Sequence, residues 1–262
     1  MTRFRPCIDL HAGSVKQIVG ASLTADASAL RTNHVSEHPA GHFAQLYRDN
    51  GLHGAHVIML GAGNEAAARE ACAAWPRGLQ VGGGIGEENA RQWIEWGAEK
   101  VIVTSYLFPL ASFSLPRLQC VLRALDGDKS KLVIDLSCKR QRDGWYVATN
   151  KWQTITDMEL NQDSISLLEP YCSEFLVHAA DIEGQQKGID HELVSRLARW
   201  CSIPVTYAGG GRSLDDLELV RRLSDGRVDL TIGSALDIFG GSGVKFEECV
   251  AWNRQNGARD GC

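Results

Sequence analysis

The apolar run Ile203 to Tyr207 stops at Gly209-Gly210-Gly211, and Ser213 followed three residues on by Asp216 then reads as a helix start. Glycines at a strand-to-helix turn let backbone N–H groups approach an anion that a side chain would block. One glycine triplet says little, but this one has a twin. Val81-Gly82-Gly83-Gly84-Ile85 also closes an apolar run and precedes Ala90, Trp93, Ile94, Gly97 and Ala98 at helical spacing. Two further pairs recur in the same order at nearly the same separation, close to half the chain. Thr104-Ser105 answers to Gly233-Ser234, and Cys7-Ile8-Asp9-Leu10 answers to Val133-Ile134-Asp135-Leu136. Such a chain reads as two half-length copies of one βα array.

Eight short apolar runs support this: Pro6–Leu10, His56–Leu60, Leu79–Gly82, Val101–Thr104, Leu132–Leu136, Phe175–Ala179, Ile203–Ala208 and Asp229–Gly233. Most are continuous rather than alternating, as parallel strands covered on both faces should be. Helical patterns separate them, with apolar stripes over His42 to Asn50, Leu115 to Leu125 and His191 to Trp200. The fold class expected is therefore α/β, a (β/α)₈ TIM barrel with an internal half-barrel repeat. A doubly wound open sheet would not predict the repeat. With 262 residues, one barrel over residues 1–255 and a polar tail over 256–262 account for the chain.

Two connections are long for simple loops. Gly13 to Gly41 contains the small, polar Ala21–Ala29 and suggests a mobile flap. Ser137 to Asp157 contains the turn Arg142-Asp143-Gly144-Trp145 and reads as a hairpin. Both follow the Asp-bearing strands, a placement that favours active-site lids over decorative insertions.

A net charge of −5 gives no reason to expect nucleic acid or an anionic membrane as partner. No segment approaches the roughly 18 apolar residues of a spanning helix. The opening Met1-Thr2-Arg3-Phe4-Arg5-Pro6 runs straight into a strand, leaving no room for a signal peptide, so a cytoplasmic location is expected. Eight scattered cysteines without a CxxC pair read as free thiols, and neither a metal site nor a disulfide framework is expected.

In a barrel of this kind the chemistry sits at the C-terminal ends of the strands, and phosphate often binds the loops after strands seven and eight. Gly210, Gly211, Gly233 and Ser234 fall in those loops. By the repeat, Gly83, Gly84, Thr104 and Ser105 form an equivalent site after strands three and four, on the opposite side of the ring. The expected ligand is a long small molecule with a phosphate at each end. Asp9 and Asp135 close strands one and five, which also face each other. An unpaired buried carboxylate is costly, so two of them at the mouth suit acid–base work on the middle of the ligand. The plainer alternative is that each only bonds local backbone or a lysine such as Lys139. Asp181, after strand six, is either a third mouth carboxylate or a residue that shapes its loop. His56 and His178, within strands, read as satisfied interior residues.

The stretches PCIDLHAGSVKQ, QVGGGI, VIDLSCKR, NKWQT, HAADIEG, YAGGGRS and IGSALDIFGG together resemble the aminoaldose–aminoketose isomerase family of histidine biosynthesis, in its fungal form, from about Arg5 to Trp252. The resemblance implies a (β/α)₈ barrel, a bisphosphate substrate, no cofactor and an Amadori rearrangement. It places Asp9 on the family's general base, Asp135 on its general acid and Trp152 on a tryptophan that stacks on the substrate. Asp181 falls on a carboxylate that contacts or positions substrate. Gln17, Met59, Gly61 and Gly86 depart from the bacterial pattern, which has an arginine, two acids and an arginine there. A monomer is expected. The rivals are the cyclase subunit of imidazole-glycerol-phosphate synthase, whose strand-one loop matches less well, and a catalytically silent phosphosugar-binding barrel.

The residues can carry such chemistry. Opening an aminoaldose ring needs a proton on the ring oxygen, which a carboxylic acid can supply. The iminium that results is an electron sink, so a carboxylate can take the C2 hydrogen. One protonated and one ionised aspartate suffice.

Overall fold

Pro6 lacks an N–H and splits the first strand of the barrel into β1, Phe4–Arg5, and β2, Cys7–His11. The structure is a computed structural model that describes residues 1–18, 32–142, 144–150, 152–182 and 188–257. After β2 come β3 (Ser14–Ile18), β4 (Thr32–Val35), α1 (Ala40–Asp49), β5 (Ala55–Met59), α2 (Glu65–Ala74) and β6 (Leu79–Gly82). Next are α3 (Ala90–Glu95), β7 (Lys100–Val103), α4 (Leu115–Ala124), β8 (Leu132–Asp135), β9 (Cys138–Gln141), β10 (Gly144–Thr149) and β11 (Thr154–Glu159). The chain continues through α5 (Gln162–Leu168), β12 (Glu174–His178), α6 (His191–Trp200), β13 (Val205–Ala208), α7 (Leu214–Ser224), β14 (Val228–Thr231) and α8 (Phe246–Gly257).

The strand order runs β1, β14, β13, β12, β8, β7, β6, β5, β2. Because β1 pairs in parallel with β14 while β2 pairs in parallel with β5, the sheet meets itself and closes. The result is the (β/α)₈ barrel, with β2 and β8 opening its two halves. Asn253 of α8 seals the closure: its side chain accepts the N–H of Phe4 at 2.8 Å and donates to the Phe4 carbonyl at 2.9 Å.

Alternate strand residues face in and out. Ile8, Val57, Val81, Val101, Ile134, Phe175 and Leu230 are buried outward, in the core shared with the helices. The interior is layered. At the N-terminal end Arg5 pairs with Asp229 at 2.7 Å, and Glu174 takes both Lys100 at 3.0 Å and Gln80 at 2.7 Å. These partners satisfy charges that would otherwise be expensive to bury. Above them Ile102, Val133, Leu176 and Ala208 form a small apolar plug, which separates the charged floor from the mouth.

Observed strand limits shift by one or two residues from the apolar runs. The clearest case is β13, which starts at Val205 although the run begins at Ile203, because Pro204 cannot donate to the ladder. Ser213 caps α7, its hydroxyl accepting the Asp216 N–H, as the sequence pattern requires.

Both long connections carry extra strands. β3 and β4 form an antiparallel hairpin on β2, whereas the flap expected over Ala21–Ala29 lies outside the described residues. The expected hairpin after β8 is a three-stranded antiparallel sheet, β9-β10-β11. Trp145 anchors it, donating to Asp190 at 3.1 Å and meeting Trp200 edge-on, with Arg140 over its other side. Ser112 bonds Asp157 at 2.6 Å and ties the same sheet to the loop after β7. The last helix extends to Gly257, so Asn256 is helical rather than tail; residues 258–262 lie outside the described chain.

Candidate active site

Inward parity along β2, β8 and β12 brings Asp9, Asp135 and His178 to the C-terminal mouth of the barrel. A cavity of about 1100 Å³ opens there, lined by Asp9, Gly83, Gly84, Thr104, Ser105, Asp135, Trp152 and His178. A second pocket of about 20 Å³ lies beside it, lined by Asp9, His178, Gly210, Gly211, Gly233 and Ser234. One glycine loop pair lies on each pocket. Asp9 and His178 belong to both pockets and stand between them. The smaller pocket has room for about one water.

The middle glycines of the two turns are alike. Gly83 has φ 96° and Gly210 has φ 74°, and a Cβ on either would come within 2.2 Å of the Met59 carbonyl or 2.1 Å of the Gly188 carbonyl. Gly83 is pressed against the end of β5 and Gly210 against the backbone that precedes α6. Gly84, at φ 71°, differs: a Cβ there meets nothing within 4 Å, because that position faces the cavity. Among the described residues, no backbone acceptor takes the N–H of Gly84 or Gly211. Such groups suit an anion.

The two aspartates have different surroundings. Asp135 is buried and held on three sides. Ser137 lies 3.0 and 3.1 Å from its two oxygens, Thr104 donates to Oδ2 at 3.2 Å, and His178 Nδ1 stands 3.3 Å from Oδ1. Hydroxyls donate or accept, so this cradle fits either protonation state of the carboxyl. Asp9 is half-buried; the Gln17 amide reaches its Oδ2 at 3.5 Å and the Cys7 thiol at 3.7 Å. Gln17 reaches the mouth from β3 and also crowds the far pocket, its Oε1 lying 2.6 Å from where a Cβ on Gly233 would sit.

Trp152 sits between β10 and β11 in a left-handed conformation, φ 62°, unusual for a bulky residue, and its ring lies 6.1 Å from that of His178. Asp181 stays apart from both pockets. It is exposed, and its carboxylate accepts the Arg140 N–H at 2.8 Å, joining the loop after β12 to the β9 strand. Thr104, expected to face a phosphate, spends its hydroxyl on Asp135.

Ser137 has no role in the sequence reading, and His178, read there as a satisfied interior residue, instead lines the cavity beside Asp135. A signal for both existed: each continues the inward parity of its strand, Ser137 two residues past Asp135 and His178 two past Leu176. His56 is the interior residue it was read to be. It lies edge-on to His178 at 6.2 Å and is neutral, pushed down to about 3 by burial, by His178 and by Arg5. An imidazole whose folded value lies below its unfolded one makes the unfolded chain bind the proton first. Stability should therefore fall as pH drops from about 6.5 towards about 3, by at most about 1.4 kcal/mol per pH unit from this group. Urea unfolding of His56→Asn across that window should show a shallower slope; an unchanged slope would assign the acid sensitivity elsewhere.

No disulfide joins the seven described cysteines, and burial raises several of them, Cys72 to about 11 and Cys172 and Cys249 to about 12. The thiols raised in this way are inert residues of the core, whereas Cys120 is partly exposed. Among the described residues no group of three His, Cys, Asp or Glu is arranged to hold a metal ion.

A family model described as histidine biosynthesis protein matches residues 3–241. The chain belongs to the histidine biosynthesis protein family. Among its relatives is a Neurospora crassa protein, 72% identical over 256 residues that cover 97% of this chain and all of the relative. A Yarrowia lipolytica protein is 54% identical over 261 residues, 97% of this chain and 99% of the relative. Both are named 1-(5-phosphoribosyl)-5-((5-phosphoribosylamino)methylideneamino)imidazole-4-carboxamide isomerase. A Medicago truncatula relative with that isomerase name, designated chloroplastic, is 47% identical over 259 residues, 97% of this chain and 82% of its own length. Membership in the histidine biosynthesis protein family accords with the barrel, since the matched span runs from before β1 to beyond β14.

Proposed function

We propose that this chain is an aldose–ketose isomerase that converts the bis-phosphoribosyl aminoaldose named for its relatives into the aminoketose by an Amadori rearrangement in histidine biosynthesis. One observation carries the reading. Two glycine-turn sites, one from each half of the barrel, flank a centre that holds Asp9, and Asp135 stands in the larger pocket. A substrate with two phosphoribosyl groups has a phosphate for each turn and a reacting sugar between them. The cyclase and silent-barrel rivals gain no support from the relatives' names.

In this mechanism Gly83, Gly84 and Ser105 hold one phosphate, and Gly210, Gly211, Gly233 and Ser234 hold the other. Asp135, the more enclosed carboxyl, gives its proton to the ring oxygen as the C1–O bond breaks. Asp9, the more open one, takes the hydrogen from C2 and leaves an enolamine. That hydrogen enters C1 as the C2 hydroxyl becomes the ketone and releases its own proton. Atoms balance: one hydrogen passes from C2 to C1, and one passes from the C2 hydroxyl to the former ring oxygen. Trp152 stacks on the substrate, while the β3–β4 hairpin and the β9–β11 sheet keep water from the iminium. Asp181 acts from outside the pocket by positioning the β9 turn. No cofactor enters. We place the enzyme in the cytoplasm as a monomer; among the described residues no helix is long and apolar enough to cross a membrane.

The direct test is to incubate the protein with the aminoaldose and follow conversion by absorbance. No ketose above the buffer rate would end the isomerase reading. Trp152 gives a second result. Its fluorescence should change when a product analogue binds, and Trp152→Ala should lower turnover far more than melting temperature, because the residue caps a pocket rather than filling the core. A variant crippled in stability with normal turnover would make Trp152 a packing residue.

A further inference from the structure

The rearrangement leaves one proton without a route. Asp135 spends its proton on the ring oxygen, and the C2 hydroxyl releases one later, so a group near Asp135 has to restore the first with the second. His178 is placed for this. Its Nδ1 is 3.3 Å from Asp135 Oδ1, it is almost completely buried, and it lines both pockets. Among the described residues, titratable groups that face it include Asp135 from β8, His56 from β5, and Asp9 and Cys7 from β2 across the smaller pocket. His56 is held neutral, so it neither competes for this proton nor carries a charge that would repel it.

We propose that His178 is a positioning residue that acts through Asp135: it fixes the carboxyl, shares its single proton, and lets the pair recover that proton from the C2 hydroxyl. The inference rests on the isomerase reading. In the resting pair one proton lies between Asp135 Oδ1 and His178 Nδ1. On ring opening it goes to the ring oxygen, leaving a carboxylate beside a neutral imidazole. When the enolamine collapses, the O–H electrons form the C2 carbonyl, the C1–C2 double-bond electrons take the proton offered to C1, and the hydroxyl proton returns to the pair. Nothing is oxidised or reduced overall, and no outside reactant is needed.

Two groups that share one proton surrender it at higher pH than either would alone, and the value belongs to the pair. The alkaline limb of the kcat profile should therefore report the pair. His178→Asn keeps a hydrogen-bonding atom near the position of Nδ1 but cannot take the proton, and His178→Phe removes both. In each variant kcat should fall about tenfold or more, less than the roughly 10²–10⁴-fold worth of the acid itself. KM should stay within about threefold, and the alkaline limb should move down by about one pH unit. A limb that stays in place, or a loss confined to KM, overturns the proposal.

Should His178→Phe fail to fold, His178→Asn carries the kinetic test. A separate arm needs no activity. The imidazole resonances of His178 in the substrate-free protein should titrate at lower pH in Asp135→Asn than in the wild type, and an unchanged titration overturns the proposal. If the wild type fails to isomerise the aminoaldose while this shift is present, the reaction assignment fails and the proton-sharing pair stands.

Discussion

Asp9→Asn and Asp135→Asn should each lose turnover by roughly 10²–10⁴-fold, the usual worth of a positioned acid or base, while folding and bisphosphate binding should survive. The substitution keeps side-chain shape and removes only the ability to hold or take a proton. The contacts support survival of the fold, since Ser137 and Thr104 can bond an amide as readily as a carboxyl. The two losses differ in kind. Without the acid Asp135 the sugar ring stays closed, so an open-chain substrate analogue should recover part of the rate. Without the base Asp9 the analogue gives no rescue, and exchange of the C2 hydrogen with solvent should vanish. Wild-type activity should follow a bell-shaped pH profile, because one carboxyl works protonated and the other ionised. Near-normal turnover in Asp9→Asn would remove the base from the mechanism.

The glycine turns predict a second large effect, which separates folding from binding. Gly83→Ala and Gly210→Ala should each cost about 2–5 kcal/mol of stability, from left-handed strain plus overpacking. The Cβ in both meets a backbone carbonyl, which cannot rotate away as a side chain can. Gly84→Ala should cost only the strain, about 1–2 kcal/mol, because its Cβ enters open space. Since that space is the cavity itself, Gly84→Ala should raise KM for the bisphosphate while kcat at saturation changes little. Thermal melts of all three, with KM for Gly84→Ala, check this. Equal melting temperatures would show the loops able to yield, and an unchanged KM in Gly84→Ala would place the phosphate elsewhere. Gly83 and Gly210 press on neighbouring backbone, whereas Gly84 faces the open cavity.

The barrel was legible in the chain because its signals are local and repeated. Buried parallel strands read as unbroken apolar runs, the glycine turns follow them directly, and both halves present these in one order. Asp9 and Asp135 were legible as acids at the ends of apolar strands, where packing has no use for them. Trp152 came from resemblance alone, as no periodicity marks a residue in an irregular turn. Strand parity could have pointed inward at His178, but parity gives the face of a strand and not its depth in the barrel.

The sequence by itself therefore determined the (β/α)₈ architecture, the two glycine turns on opposite sides of the ring, and the two carboxylates that the first and fifth strands of the barrel bring to its mouth. Only the tertiary structure decided the company those carboxylates keep. Leu176 pairs with Asp135 across β12 and β8, so His178, two residues further along on the same face, comes beside the carboxyl. Thr104 reaches the same carboxyl from β7, while Gln17 folds back from β3 onto Asp9. Closure also decided that one glycine site opens on a large cavity and the other on a pocket the size of a water molecule. These are contacts between strands whose register and stagger are set by how the closed sheet packs around its apolar plug, and no local pattern along the chain records that.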